Sequence, residues 1–287
     1  MSSTQKTIKY CAMTFAILLA VGIISAMANI AFTIANGFSG TSDGLRFTDS
    51  KNERNFSADY DKSFKGVSSL SVENALGNLK ICVGEDFRVV ANHVSKKFSA
   101  DVSGDGTLTI KDKGNDFNFL WFNFNGLTNP RSDIIVYVPS NFISKESIIS
   151  TGAGNTIIEG LKSDYLFIEA GAGKIRTKDL TAARARVDGG VGSITLNQVR
   201  FEESDFDSGV GKLDVSGQLL GKTNVDCGVG EVELDLSGEV DDYGYNVDTG
   251  LGPIKLNGNK ISGKYNLDAQ NQIKVDGGVG SVNIKIK

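Results

Sequence analysis

Residues 187–196 read Val187-Asp188-Gly189-Gly190-Val191-Gly192-Ser193-Ile194-Thr195-Leu196, and nineteen positions on comes Phe206-Asp207-Ser208-Gly209-Val210-Gly211-Lys212-Leu213-Asp214-Val215. Another nineteen on stands Val225-Asp226-Cys227-Gly228-Val229-Gly230-Glu231-Val232-Glu233-Leu234. The Gly-x-Gly tripeptide also occurs at Gly152-Ala153-Gly154 and Gly171-Ala172-Gly173 in the same 19-residue step, then at Gly250-Leu251-Gly252 and Gly278-Val279-Gly280 after steps of 22 and 28. A fixed period of this length marks a repeat architecture. Around each tripeptide apolar residues alternate with period two: Ala185, Val187, Gly189 and Val191 before the end of one, Ile194 and Leu196 after it. That alternation belongs to strands with one buried face. The inward parity changes by one at the second glycine, so the backbone must bend there, and each tripeptide is expected to be a corner between two short strands. Nineteen residues are too few for a strand-helix-strand unit. They suit one coil of a parallel β-solenoid, whose identical positions stack about 4.8 Å apart into continuous apolar columns.

Outward from this region the pattern weakens without vanishing. Ala75-Leu76-Gly77-Asn78-Leu79-Lys80-Ile81 and Gly104-Asp105-Gly106-Thr107-Leu108-Thr109-Ile110 read as degenerate coils, and Asp133-Ile134-Ile135-Val136-Tyr137-Val138-Pro139 as a strand closed by proline. The solenoid is expected over 66–287, stacked in sequence order, with the two long steps as loops inserted in otherwise ordinary coils. Its final run, Val282-Asn283-Ile284-Lys285-Ile286-Lys287, reads as an exposed last strand whose lysines deter edge pairing. Residues 37–65, rich in Ser, Gly, Asp and Lys, read as a polar linker.

Residues 10–35, YCAMTFAILLAVGIISAMANIAFTIA, carry no charged side chain. Such a run is long enough to cross a bilayer. Lys6 and Lys9 precede it and no acid occurs before Asp43, so 1–36 is expected to be a cytoplasmic stub and a single-pass signal-anchor, with the solenoid extracytoplasmic. Ala26-Met27-Ala28 offers the alternative of a cleaved signal peptide, although the apolar run continues past it. Beyond Lys9 there remain 28 basic and 34 acidic residues, a net of −6, which lacks the electrostatic footprint of a nucleic-acid binder. Of three cysteines, Cys11 lies in the apolar run, and Cys82 and Cys227 read as free, buried thiols rather than a disulfide framework. A lone His93, expected partly buried on a strand, leaves no partner histidine for the familiar hydrolytic and metal-dependent mechanisms.

The Ile-Ile-Val-Tyr-Val-Pro strand, followed by Gly-x-Gly-x-apolar-x-apolar coils behind an N-terminal anchor, resembles the bacterial putative-adhesin family of β-strand-repeat proteins over roughly 66–287. The resemblance implies a β-solenoid outside the membrane of the cell envelope, in some cases tied to envelope-stress systems. It supplies no catalytic residues.

Two polar constellations stand out. Four residues before each second glycine come Glu169, Asp188, Asp207, Asp226, Asp248 and Asp276, headed by Ser150. Stacked coils would set these as an outer carboxylate ladder, with neighbours repelling by about 0.9 kcal/mol in water. Turn chemistry, in which Asp accepts a backbone N–H two residues on, would offset this, as would Arg186, Lys174, Lys212 and Lys274; so would a bound cation such as calcium, the only cofactor the sequence suggests. The second constellation is Asp116-Phe117-Asn118-Phe119-Leu120-Trp121-Phe122-Asn123-Phe124-Asn125-Gly126. It is either a partner-binding platform built on Phe117, Phe119, Trp121, Phe122 and Phe124, or a cap over the solenoid end. A uniform ladder singles out no pair of acids with split pKa values, which weighs against a carbohydrate-active enzyme. The expectation is a non-catalytic binding or scaffold module of the envelope, its partner a polysaccharide, a membrane protein or another copy of the chain, with a self-assembling or envelope-stress accessory role as the alternative.

Overall fold

The computed structural model describes residues 60–112, 132–261 and 263–287, with only the backbone of residue 249. The expected anchor, 1–36, and nearly all of the linker lie outside the described residues. Among the described residues no helix is long and apolar enough to cross a membrane.

The described chain is all-β apart from one 3-10 turn, Val240–Asp242. Its strands are β1 (Tyr60–Phe64), β2 (Ser69–Gly84), β3 (Phe87–Asn92), β4 (Ser99–Val102), β5 (Thr107–Asp112), β6 (Ser132–Pro139), β7 (Ser144–Glu159), β8 (Lys162–Lys178), β9 (Thr181–Leu236), β10 (Tyr243–Leu251), β11 (Ile254–Leu256), β12 (Asn259–Lys260), β13 (Lys264–Tyr265) and β14 (Asn271–Ile286). They form one open 14-stranded sheet, with main path β1-β3-β6-β2-β7-β8-β9-β14-β10-β13. The five residues of β1 belong to the stretch expected as linker; they pair antiparallel with β3, and Phe64 is buried.

The 19-residue step is the register of the sheet. Glu169 pairs with Asp188 and Ile175 with Ile194, in parallel. Inward-facing columns follow, such as Leu79, Thr156, Ile175 and Ile194 after the corner, and Val72, Ile149, Ile168 and Val187 before it, all buried. Each coil thus buries an apolar column that no single coil could cover. The corner bends the chain without interrupting its strand hydrogen bonding, so β8 contains one tripeptide and β9, 56 residues long, contains three. Gly192 has φ +146°, and a Cβ there would stand 1.8 Å from the carbonyl oxygen of Gly173 one coil away, so both the bend and the close stacking require glycine. Inward alternation stops one step, or two residues, sooner than expected: Val229 is exposed and Val191 half-buried, because the middle residue of the tripeptide points off the corner into solvent.

The stacking order departs from the sequence at both ends. Strand β14 lies between β9 and β10: Asp276 pairs with Asp226 on one side and Asp248 on the other. The terminal coil is therefore β10 and β11, edged by the short antiparallel strands β13 and β12. Lys285 and Lys287 accordingly guard no edge; they pair with Glu233 and Asp235 of β9, each at 2.7 Å. The edge coil instead carries Pro253, which has no N–H to offer, and Lys255, Lys260 and Lys264. At the other end β2, the first full coil, is an inner one. Its outer neighbour is a coil in two halves, β5 and β6, each bearing an antiparallel partner, β4 and β3. Aromatic contacts close this end: Tyr60 on Phe98 at 4.9 Å and Phe87 on Phe142 at 4.8 Å, with the Tyr60 hydroxyl donating to the Ala100 carbonyl at 3.0 Å.

Candidate interaction surfaces

The stacking brings the predicted carboxylates into one row. Ser150, Glu169 and Asp188 are consecutive register partners, as are Asp226, Asp276 and Asp248, and Asp207 falls between the two sets by its spacing. Side chains offset the repulsion. The Arg186 guanidinium donates through Nε to both Asp188 oxygens at 3.0 Å, Lys274 pairs with Asp276, and the Ser150 hydroxyl donates to Glu169 at 3.2 Å. No ladder carboxylate among the described residues accepts the backbone N–H two residues on; Asp105, in the turn before β5, does so at 3.1 Å. Lys212 does not serve the ladder. It sits beyond the corner, 2.9 Å from Glu233 and 3.7 Å from Glu231. Among the described residues no three His, Cys, Asp or Glu side chains converge as a metal cage.

The Glu233 carboxylate stands between two lysines, 2.9 Å from Lys212 and 2.7 Å from Lys285. Hydrogen bonds from Lys285 and Lys212 hold its carboxyl well below the usual range, at about 2. They join two coils of β9 to β14, while burial raises the neighbouring Asp214 carboxyl.

The aromatic stretch, with Phe117, Phe119, Trp121, Phe122 and Phe124, lies outside the described residues, but the two strands that lead into and out of it do not. Asp112, the last residue of β5, pairs with Asn74, and Ser132, the first of β6, pairs with Gly77. Both are buried. The Asp112 carboxylate accepts the Ser95 N–H at 3.3 Å, and Ser132 Oγ lies 3.0 Å from Asn74 Oδ1 and 2.9 Å from the Leu76 carbonyl oxygen. On β2 the register partners of Asp112 and Ser132, Asn74 and Gly77, flank that coil's corner. Asn155 donates to Asn78 at 3.2 Å, and Asn78 to Asp133 at 2.7 Å, an amide chain that braces the exit side.

The remaining predicted residues are placed plainly. Cys82 and Cys227 are free, the first half-buried and the second buried, and desolvation raises both thiols. His93 is exposed in a left-handed turn at φ 55° just after β3, rather than partly buried on a strand.

A family model matches residues 67–285. The chain belongs to the Toastrack DUF4097 family. This bears out the resemblance read from the repeat, and the toastrack coils are the stacked β-units described above. Crystal structures similar to this toastrack chain include a putative adhesin from Bacteroides fragilis NCTC 9343, with 14% identity over 78% of this chain and 95% of that one and a TM-score of 0.44. A putative adhesin from Parabacteroides distasonis ATCC 8503 shares 12% identity over 79% and 95%, with a TM-score of 0.40. A putative cell adhesion protein from Clostridium sporogenes ATCC 15579 shares 15% over 79% and 98%, with a TM-score of 0.30. No curated protein matches the chain.

Sequence reading missed an apolar ridge on the glycine corner. Leu251, Val279 and Val229 are register neighbours, exposed by 70%, 49% and 41%, and the row continues through Val210 and Val191. The middle letter of each tripeptide, read as a column, was the available signal.

Proposed function

We propose that the protein is a non-catalytic, adhesin-like binding module of the bacterial cell envelope, held by a single N-terminal span with its β-solenoid outside the membrane. The observation that carries this reading is the position of Asp112 and Ser132. The strands that flank the aromatic, asparagine-rich stretch in sequence, β5 and β6, belong to an outermost coil whose end carries aromatic contacts of its own, Tyr60 on Phe98 and Phe87 on Phe142, which favours the platform reading of that stretch over the cap. Aromatic side chains in such a place supply rigid, amphipathic contact area.

The test is co-sedimentation of the full-length chain with isolated cell envelopes, with soluble sugar measured in the supernatant. Retention without sugar release is expected. Trp121→Ala combined with Phe119→Ala should weaken retention at least tenfold and leave the melting temperature unchanged. Retention untouched by the double variant would remove the stretch from the binding surface, and released sugar would overturn the non-catalytic assignment.

A further inference from the structure

We infer that the outer face of β7, β8 and the first coil of β9 is a second binding surface, for a neutral linear polysaccharide, centred on Tyr165, Phe167, Arg184 and Arg186. The inference deepens the envelope-binding reading and rests on it, but uses residues that reading leaves aside.

In the register of the sheet Tyr165 stands beside Arg184 and Phe167 beside Arg186, with Ile148 on the other side of Phe167. The intervening residues Leu166 and Ile168 are buried, so these side chains face out: Ile148, Tyr165 and Phe167 half-buried, both arginines exposed. Each guanidinium lies against its ring, Arg184 at 5.9 Å from the Tyr165 centroid and Arg186 at 6.0 Å from that of Phe167. The two rings and the aliphatic stems of the two arginines thus make one plate across adjacent coils, its apolar part the rings and stems and its donors the guanidinium groups. On the next coil the same two columns hold Glu203 and Asp205, and Asn224 beyond donates to Asp205 at 2.7 Å. On the inner coils of this face, aromatic side chains occupy these columns only at β8.

The occupant follows from the chemistry of the plate and its rim. Two arginines are surrounded by Glu146, Asp188, Glu203 and Asp205, so the face carries no positive excess to hold a polyanion. Arg186 is committed to Asp188, whereas Arg184 forms no ion pair among the described residues and keeps its planar set of donors facing solvent. A sugar ring offers an apolar C–H face for the plate, and hydroxyls that accept from Arg184 and donate to Glu203 and Asp205. The surface is a flat sheet rather than a cleft, which suits an extended polymer more than an enclosed small molecule. Rings, guanidinium groups and carboxylates stand on successive strands about 4.8 Å apart, comparable to one sugar unit along a chain.

Affinity electrophoresis of the full-length protein in detergent, with soluble xylan, mixed-linkage β-glucan and chitin oligomers as probes and polygalacturonate as the anionic control, tests the proposal. At least one neutral polymer should retard the wild type, and polygalacturonate should not. Arg184→Ala, at an exposed position, should weaken retardation at least tenfold without lowering the melting temperature. Arg184→Lys should stay weak, because an ammonium lacks the planar fork, and Phe167→Ala should match Arg184→Ala. Retardation by none of the neutral polymers, preference for polygalacturonate, or full retention by Arg184→Ala would overturn the assignment. If whole envelopes still retain the wild type in that case, the surface falls while the envelope reading stands. If envelopes retain nothing, both fall.

Discussion

Glycine in this protein is a stacking requirement as well as a turn residue. At Gly192 the positive φ and the 1.8 Å approach of a would-be Cβ to the Gly173 carbonyl act together, so alanine meets strained backbone and a collision with the next coil. Strain and overpacking of this kind each cost about 1–3 kcal/mol. Gly192→Ala should therefore destabilise the described domain by roughly 2–6 kcal/mol, read as a lower denaturant midpoint. Alanine at Val191, whose side chain points off the corner, should change it by less than about 1 kcal/mol. Equal effects at the two positions would contradict the stacking described for the corner. The carboxylates are a milder case. Their spacing was plain in the sequence, but which of them acquires a cation depended on whether Arg186 or Lys274 stands two residues away on the same face, and on Lys212 lying past the bend.

Strand β14 is held to β9 by apolar columns and by the Glu233 cluster. Because Glu233 is held at about 2, below its ordinary value of 4.5, the folded state binds this proton less readily than the unfolded chain. Its contribution to stability is complete above the ordinary value and is lost as pH falls from there toward about 2. The pairs are partly exposed, so Glu233→Gln should cost about 1 kcal/mol or less at neutral pH and flatten the acid limb of a melting-temperature profile. A variant with an unchanged acid limb would show that Glu233 is not a source of the pH dependence. The elements themselves were largely legible. Period-two alternation located β2, β6 and the coils of β7 to β9, since a half-buried strand writes its burial directly into the order of residues. Strand β1 was not legible: Tyr60-Asp61-Lys62-Ser63-Phe64 has the composition of a linker, and only pairing with β3 makes it a strand.

At the scale of the whole molecule the stack is not threaded in sequence order, because β14 intervenes between β9 and the terminal coil. Deleting residues 271–287 should therefore unseat β10 and β11 as well as the missing strand. Limited proteolysis is expected to cut the truncated protein between 237 and 270 while β7 to β9 stay resistant; a resistant 243–256 segment would contradict the inserted position of β14. Candidate binding residues divide in the same way. The aromatic stretch could be picked out by composition alone, whereas the pairs Tyr165 with Arg184 and Phe167 with Arg186 become surfaces only when coils 19 residues apart are laid side by side. The sequence by itself determined the coil, its glycine corner, its 19-residue register and the residues that face inward on either side of the tripeptide, its middle residue excepted, because each depends on local alternation and on a repeat that every copy restates. Only the tertiary structure decided which coil stacks on which at the two ends, where the edges lie, and which side chains meet across coils. Parallel strands with near-identical apolar columns are interchangeable neighbours, and the choice among them rests on end-capping aromatics, on Pro253 and the lysines of the edge coil, and on ion pairs such as Lys285 with Glu233, none of which a local pattern records.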